Sequence, residues 1–194
     1  MRYKEFNRSR VLEKCIPLFW KNGFNACAIS DIVKTTDVNR YSLYEEFGNK
    51  EGILHAALEL YRERYAEKNL EILNHNRDAI TLLRTFYLSF LKHDNPYQEG
   101  CFIIHIGTEL ADRDETVNAI LRKYLEDIRT LFTGMLQRNG ESEEASNFFA
   151  KHLVGLFCTS MSFCLIHLDE ERLGHINNGI KIILNKNIAY AKST

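Results

Sequence analysis

Cys101 and His105 lie four residues apart, so on a helix they share a face. An imidazole beside a thiol lowers the thiol's pKa, which suits a redox or electrophile sensor, or the reactive pair of an enzyme. A buried structural cysteine is the plainer reading of the same residues. Cys164 and His167 are three apart, a spacing better suited to core packing or a dimer contact than to metal. His55, His75, His93, His152 and His175 make no ligand spacing, and HExxH, GxSxG and phosphate-binding glycine loops are all missing. No catalytic set, metal site or cofactor is therefore assigned. A different chemistry is concentrated at Asn39, Arg40, Tyr41, Ser42 and Tyr44, whose polar groups can reach base edges and phosphates.

Bulk charge does not decide between these. Lys+Arg number 25 against 26 acids over 194 residues, so anion binding must come from a local patch. Residues 1–50 hold nine Lys/Arg against six acids, a basic head on a body of net charge −4, which points weakly to nucleic acid. Five cysteines without a C-x-x-C pair fit a reduced, cytoplasmic setting better than a disulfide framework or a zinc ribbon. The N-terminus lacks the apolar core of a signal peptide. Leu153–Leu168 carries no charge, yet it is short for a membrane span and reads as a doubly buried helix.

Only 2 prolines and 10 glycines leave long stretches free to be helical. The pattern predicts an all-α chain of about nine helices, with no run of period-two alternation and no repeat. The first covers 5–22, bent at Pro17 and closed by Gly23. Two short helices follow, about Ser30–Thr35 and Asn39–Phe47, joined by Thr36-Asp37-Val38 and capped in the second case by Asn39. Asn49 caps a long helix to about Leu73, with a stripe at Leu54, Ala57, Leu58, Tyr61 and Tyr65. Ile80, Leu83, Phe86, Tyr87, Phe90 and Leu91 mark another, and Asn95-Pro96 and Gly100 a loop. Cys101–Ala111 is short and apolar. Asp112 is placed to cap a helix whose seam is Val117, Leu121, Tyr124, Ile128, Leu131 and Met135. Asn139-Gly140 ends it, and Ser142 and Asp169 introduce the last two.

The two short helices and their turn form a helix-turn-helix, with Ile29, Ile32, Val33, Val38, Leu43 and Phe47 available to lock it onto the first helix. Around it the fixed spacings coincide: Phe19, Gly23-Phe24, Asp31-Ile32, Val38, Leu43-Tyr44-x-x-Phe47, Asn49-Lys50-Glu51 and Leu54. Residues 8–56 thereby resemble the N-terminal domain of TetR-type transcriptional regulators. Gly100-Cys101 with Glu109-Leu110 looks like a subset of that family. Asp37 stands where the family has a turn glycine, which predicts strain. Cys27-Ala28 stands where Thr or Ser caps the first motif helix, which leaves Ser30 to serve.

The resemblance implies a DNA-binding head over 1–48 and a ligand-binding and dimerisation body over 49–194. It implies double-stranded operator DNA as partner, a small-molecule inducer, and a homodimer through the last two helices. Tyr44 and Lys50 would be phosphate contacts; near a helix N-terminus a phenol and an ammonium meet an anion the dipole already favours. Arg8 and Arg10 are further backbone or minor-groove candidates. Ser30, Asn39, Arg40, Tyr41 and Ser42 complete the DNA-binding set, and Cys101, His105, Tyr87 and Tyr124 are the pocket or sensor candidates. The rival class is an all-helical carrier or enzyme using Cys101 and His105; it leaves the motif from Leu43 to Glu51 unexplained.

Overall fold

Asn7 starts the first helix. Its side chain accepts from the Arg10 amide at 3.0 Å, and α1 runs over Arg8–Asn22. Val11, Leu12, Cys15, Ile16, Phe19 and Trp20 recur at three and four, and all are buried. Pro17 lies inside α1 without ending it, and Gly23 ends it at φ +75°, donating its amide to the Phe19 carbonyl. The computed structural model describes residues 6–90, 100–165 and 169–184. Leu91, His93, the Asn95-Pro96 turn, His167 and the side chain of Cys164 lie outside the described residues.

Helix α2 spans Ile29–Thr36, α3 Arg40–Phe47 and α4 Lys50–Tyr61. Asn39 and Asn49 cap α3 and α4, accepting from the Ser42 and Gly52 amides at 2.9 and 2.8 Å. The start of α2 differs from expectation. Its N-cap is Ala28, which has no acceptor, and Asp31 reaches back to accept from the Ala28 amide at 3.0 Å. Ser30 is exposed and is not the cap. After α4 comes one π turn, Arg62–Ala66, then α5, Glu67–Glu71. A π turn inserts one extra residue, so the apolar stripe passes from Tyr61 to Ala66 and Leu70. Tyr65, expected on that stripe, is only half-buried and stacks on Tyr61.

The remaining helices are α6 (Ala79–Ser89), α7 (Phe102–Leu110), α8 (Glu115–Arg138), α9 (Glu143–Leu165) and α10 (Asp169–Leu184). With α4 through α5 taken as one rod, that makes nine helices and no strand among the described residues. Ser142 caps α9 as expected. The cap of α8 is Asp114, which accepts from Thr116 and Val117, rather than Asp112, which is exposed beside Arg113. His55 of α4 holds Asp114 in place at 2.7 Å.

The chain forms two compact units, 1–68 with 93–124, and 69–92 with 125–194. In the first, Trp20 of α1, Tyr61 of α4 and Phe102 of α7 interlock with ring centroids 5.5–5.6 Å apart. In the second, Phe86 lies within 5.5 Å of Phe90, Phe132 and Phe157, and the Tyr87 hydroxyl donates to the Leu153 carbonyl at 2.6 Å.

Candidate nucleic-acid interface and sensor residues

The turn between α2 and α3 is held from several sides. Asp37 adopts φ +60°, ψ +29°, the left-handed conformation its place in the turn demands, and donates its amide to Val33 at 2.9 Å. The Thr36 hydroxyl donates to the Ile32 carbonyl and accepts from the Val38 amide. Lys14 of α1 brings its ammonium to the Thr35 carbonyl at 3.1 Å, where the helix dipole favours a cation. Ile32, Leu43 and Phe47 are buried under the motif as expected, while Ile29, Val33 and Val38 are half-buried.

What this leaves outward on α3 is specific. Tyr41 is 62% exposed, a large aromatic at the start of a helix. Arg40 is exposed and places its guanidinium 5.0 Å from the ring centre of half-buried Tyr44. Asn39 is exposed, though its side-chain oxygen is engaged in the cap. Ser42 is 8% exposed, its amide is held in the Asn39 cap, and it borders the cleft beside the turn. Beside the turn a cleft of about 370 Å³ is lined by Asn7, Arg10, Lys14, Asp37 and Asn39. Arg8 is paired with Glu46 at 3.1 Å and lies over Phe47.

Lys50 begins α4 and turns towards the loop joining α1 to α2. Its ammonium donates to the carbonyls of Phe24 and Cys27 at 3.0 and 2.9 Å and sits 4.1 Å from the Phe24 ring centre. Glu109, on the last turn of α7, reaches the same loop. It accepts from the Phe24 amide at 2.8 Å, the Asn25 amide at 2.9 Å and the Asn25 side chain at 2.6 Å. The sequence signalled Glu109 only through the Glu109-Leu110 pattern; no spacing predicts a bond across 85 residues.

The sensor candidates are not gathered into a reactive pair. Cys101 is the residue before α7, buried, and its thiol donates to the Tyr124 hydroxyl at 3.7 Å rather than to His105. Burial pushes the Cys101 thiol up to about 11, against hydrogen bonds from the Ile104 amide and Tyr124 that favour the thiolate. The dipole of a short helix does not offset that loss of solvent. Burial likewise raises Cys15, to about 12, and Cys27 and Cys158. Burial lowers His105, partly offset by Glu109, and its Nδ1 has no hydrogen-bond partner among the described residues. Tyr87 belongs to the second unit, where burial raises its phenol well above the ordinary value. No group of three or more His, Cys, Asp or Glu side chains placed to hold a metal occurs among the described residues, and no described helix is long and apolar enough to cross a membrane.

A helix-turn-helix locked by a packed third helix, with an arginine and aromatic face outward, defines a helical DNA-binding protein. Comparison with known proteins places it more closely. The family model for bacterial regulatory proteins of the tetR family matches residues 12–63. The transcriptional repressor ComR of Escherichia coli is 30% identical over 158 residues, 78% of this chain and 74% of ComR. NemR, another E. coli transcriptional repressor, is 23% identical over 151 residues, 75% of this chain and 74% of NemR. Among solved structures, a cysteine mutant of the TetR-family regulator CifR complexed with double-strand operator DNA matches with a TM-score of 0.77 at 19% identity. That match covers 93% of this chain and 98% of CifR. The chain belongs to the TetR family and is a DNA-binding transcriptional regulator.

Proposed function

We propose that this protein is a cytoplasmic repressor that binds operator DNA as a homodimer and is released by a small molecule. The observation that carries the reading is the outward face of α3, where Arg40, Tyr41 and Tyr44 stand on a helix fixed by the Asn39 cap and a buried opposite side. Residues 1–48 supply the DNA contacts and 49–194 the inducer pocket and the dimer contact, made by α9 and α10. Phe148 on α9 and Leu173 and Ile182 on α10 are large apolar side chains left exposed in the single chain, which supports pairing there. ComR and NemR are named as repressors, which supports the sign of regulation. An inducer acts only through its different affinity for the DNA-competent and released states.

Arg40 and Tyr41 read bases, and Tyr44, Lys50 and Ser30 position the head on phosphates. That the Cys101 thiol is directed to Tyr124 and not to His105 supports the regulator reading over the enzyme reading. Footprinting on the gene's own upstream DNA tests the proposal. A two-fold symmetric footprint is expected, with half-sites about 34–36 Å apart or a multiple of that. A footprint without two-fold character, or a monomer at micromolar concentration in ultracentrifugation, overturns it. Arg40→Ala and Tyr41→Ala are expected to change sequence preference, read by selection from a randomised operator.

A further inference from the structure

Helix α7 meets α1, α4 and the loop between α1 and α2 at both of its ends. At its start, Phe102 packs tilted on Trp20 and edge-on against Tyr61. At its end, Glu109 takes three hydrogen bonds from Phe24 and Asn25. The two contacts differ in kind. Aromatic packing tolerates sliding, whereas bonds of 2.6–2.9 Å to a charged acceptor fail within about 1 Å of displacement. The carboxylate also fixes direction, since Oε2 is given to the Phe24 amide and Oε1 to both donors of Asn25.

The loop itself has little freedom to absorb a shift. Its amides are held by Glu109 from α7, and its carbonyls at Phe24 and Cys27 are held by Lys50 from α4. The residue before Phe24 is Gly23. A Cβ there would come within 3.0 Å of Glu109 Oε2, at a φ of +75° that side chains avoid. The backbone conformation favours glycine here, and any side chain would also press on the carboxylate.

We propose that Glu109 is the positioning residue through which α7 sets the placement of the α1–α2 loop, and with it α2 and α3. The proposal rests on the repressor reading above and deepens it, naming where a change in the body is delivered to the head. Gly107 gives a handle on the same helix, because a Cβ there would come within 2.8 Å of Leu121 Cδ2 on α8. A larger residue at 107 must be met by a shift of the Leu121 side chain, of α7, or of both, so a β-branched residue there perturbs the α7–α8 contact and serves as a probe that needs no inducer.

The test is a double-mutant cycle of Glu109→Gln and Gly107→Val in the full chain, with two readouts. One is amide hydrogen exchange at Phe24 and Asn25. The other is affinity for a duplex from the gene's own upstream region. Glu109→Gln keeps shape and one acceptor oxygen, which can stay with the two Asn25 donors, but turns its NH₂ towards the Phe24 amide, so exchange at Phe24 is expected to quicken about tenfold and exchange at Asn25 less. Gly107→Val is expected to weaken the duplex at least about fivefold in the wild-type background and less than about twofold beside Glu109→Gln. An equal factor in both backgrounds overturns the proposal, as does unchanged exchange at Phe24 in Glu109→Gln. Should Gly107→Val fail to fold, Gly107→Ala replaces it in the same cycle, and an affinity indifferent to both folded variants also overturns it. Absence of any specific duplex binding by the wild type sinks the repressor reading instead. The exchange arm uses no DNA, so it still decides whether Glu109 holds the loop.

Discussion

A lysine ammonium has three donors, and Lys50 commits two of them to the carbonyls of Phe24 and Cys27. The third is not given to a carbonyl, and the ammonium lies over the Phe24 ring. Lys50→Ala should therefore do two things at once. Two charged hydrogen bonds on a half-buried group are worth about 1–2 kcal/mol, so the urea midpoint falls accordingly. The log–log salt slope of DNA binding flattens by about one if the third donor meets a phosphate. A loss of stability with an unchanged slope leaves Lys50 only the loop-holding role. Tyr44→Phe, by contrast, is expected to weaken binding with no change in stability. Cys101 makes the opposite point, that a residue well placed in sequence can be silenced by burial. At about 11, its thiol holds about one part in 10⁴ as thiolate at neutral pH. Alkylation of Cys101 in the native protein is expected to be no faster than that of Cys158, which is less deeply buried. The folded thiol is raised above its unfolded value of 9.0, so its stabilising effect is complete below pH 9 and is lost as pH climbs towards about 11. Thermal melts over that window should fall less steeply in Cys101→Ala than in wild type.

At the scale of elements, the turn at Asp37 carries the most local strain, with φ at +60° in a residue that has a Cβ. Aspartate bears this conformation better than most, and glycine bears it without cost. Asp37→Gly relieves about 1 kcal/mol in the fold and adds about 0.4–1 kcal/mol of chain entropy to the unfolded state, so the two nearly cancel. Asp37→Val has no such escape and should cost about 1–2 kcal/mol. Chemical denaturation of the pair checks this, and equal stabilities for Val and Asp would mean the turn relaxes. The same scale shows what the sequence disclosed. Caps set by a residue and its own next turn were legible, as at Asn39, Asn49 and Ser142. Caps settled by tertiary contact were not. Asp112 and Asp114 compete for one helix start, and His55, 59 residues away, decides for Asp114. The π turn at Arg62–Ala66 leaves no mark in apolar periodicity, so Tyr65 rather than Ala66 looked like the core residue. The exposure of Asn39, Arg40 and Tyr41 was legible, while the burial of Ser42 was not, because a short polar side chain fits either side of a two-turn helix.

At the scale of the molecule, the three helices of the head share a compact unit with α4, α7 and the first part of α8. The boundary proposed near residue 48 is not where their packing ends. Trp20 finds its ring partners in Tyr61 and Phe102, the carbonyls of Phe24 and Cys27 find theirs in Lys50, and the amides of Phe24 and Asn25 find theirs in Glu109. A chain of under about 60 residues is marginal even with its own core complete. Residues 1–48 alone would expose Trp20 and leave a glycine-led loop without donors or acceptors from outside. An isolated peptide of residues 1–48 is therefore expected to show little helix by circular dichroism and no cooperative thermal transition. In the full chain, core amides of α1 and α7 should open with a common free energy in native-state hydrogen exchange, as members of one cooperative unit. A peptide 1–48 that folds cooperatively on its own would show that the head owns its stability. Its ties to α7 would then serve placement alone.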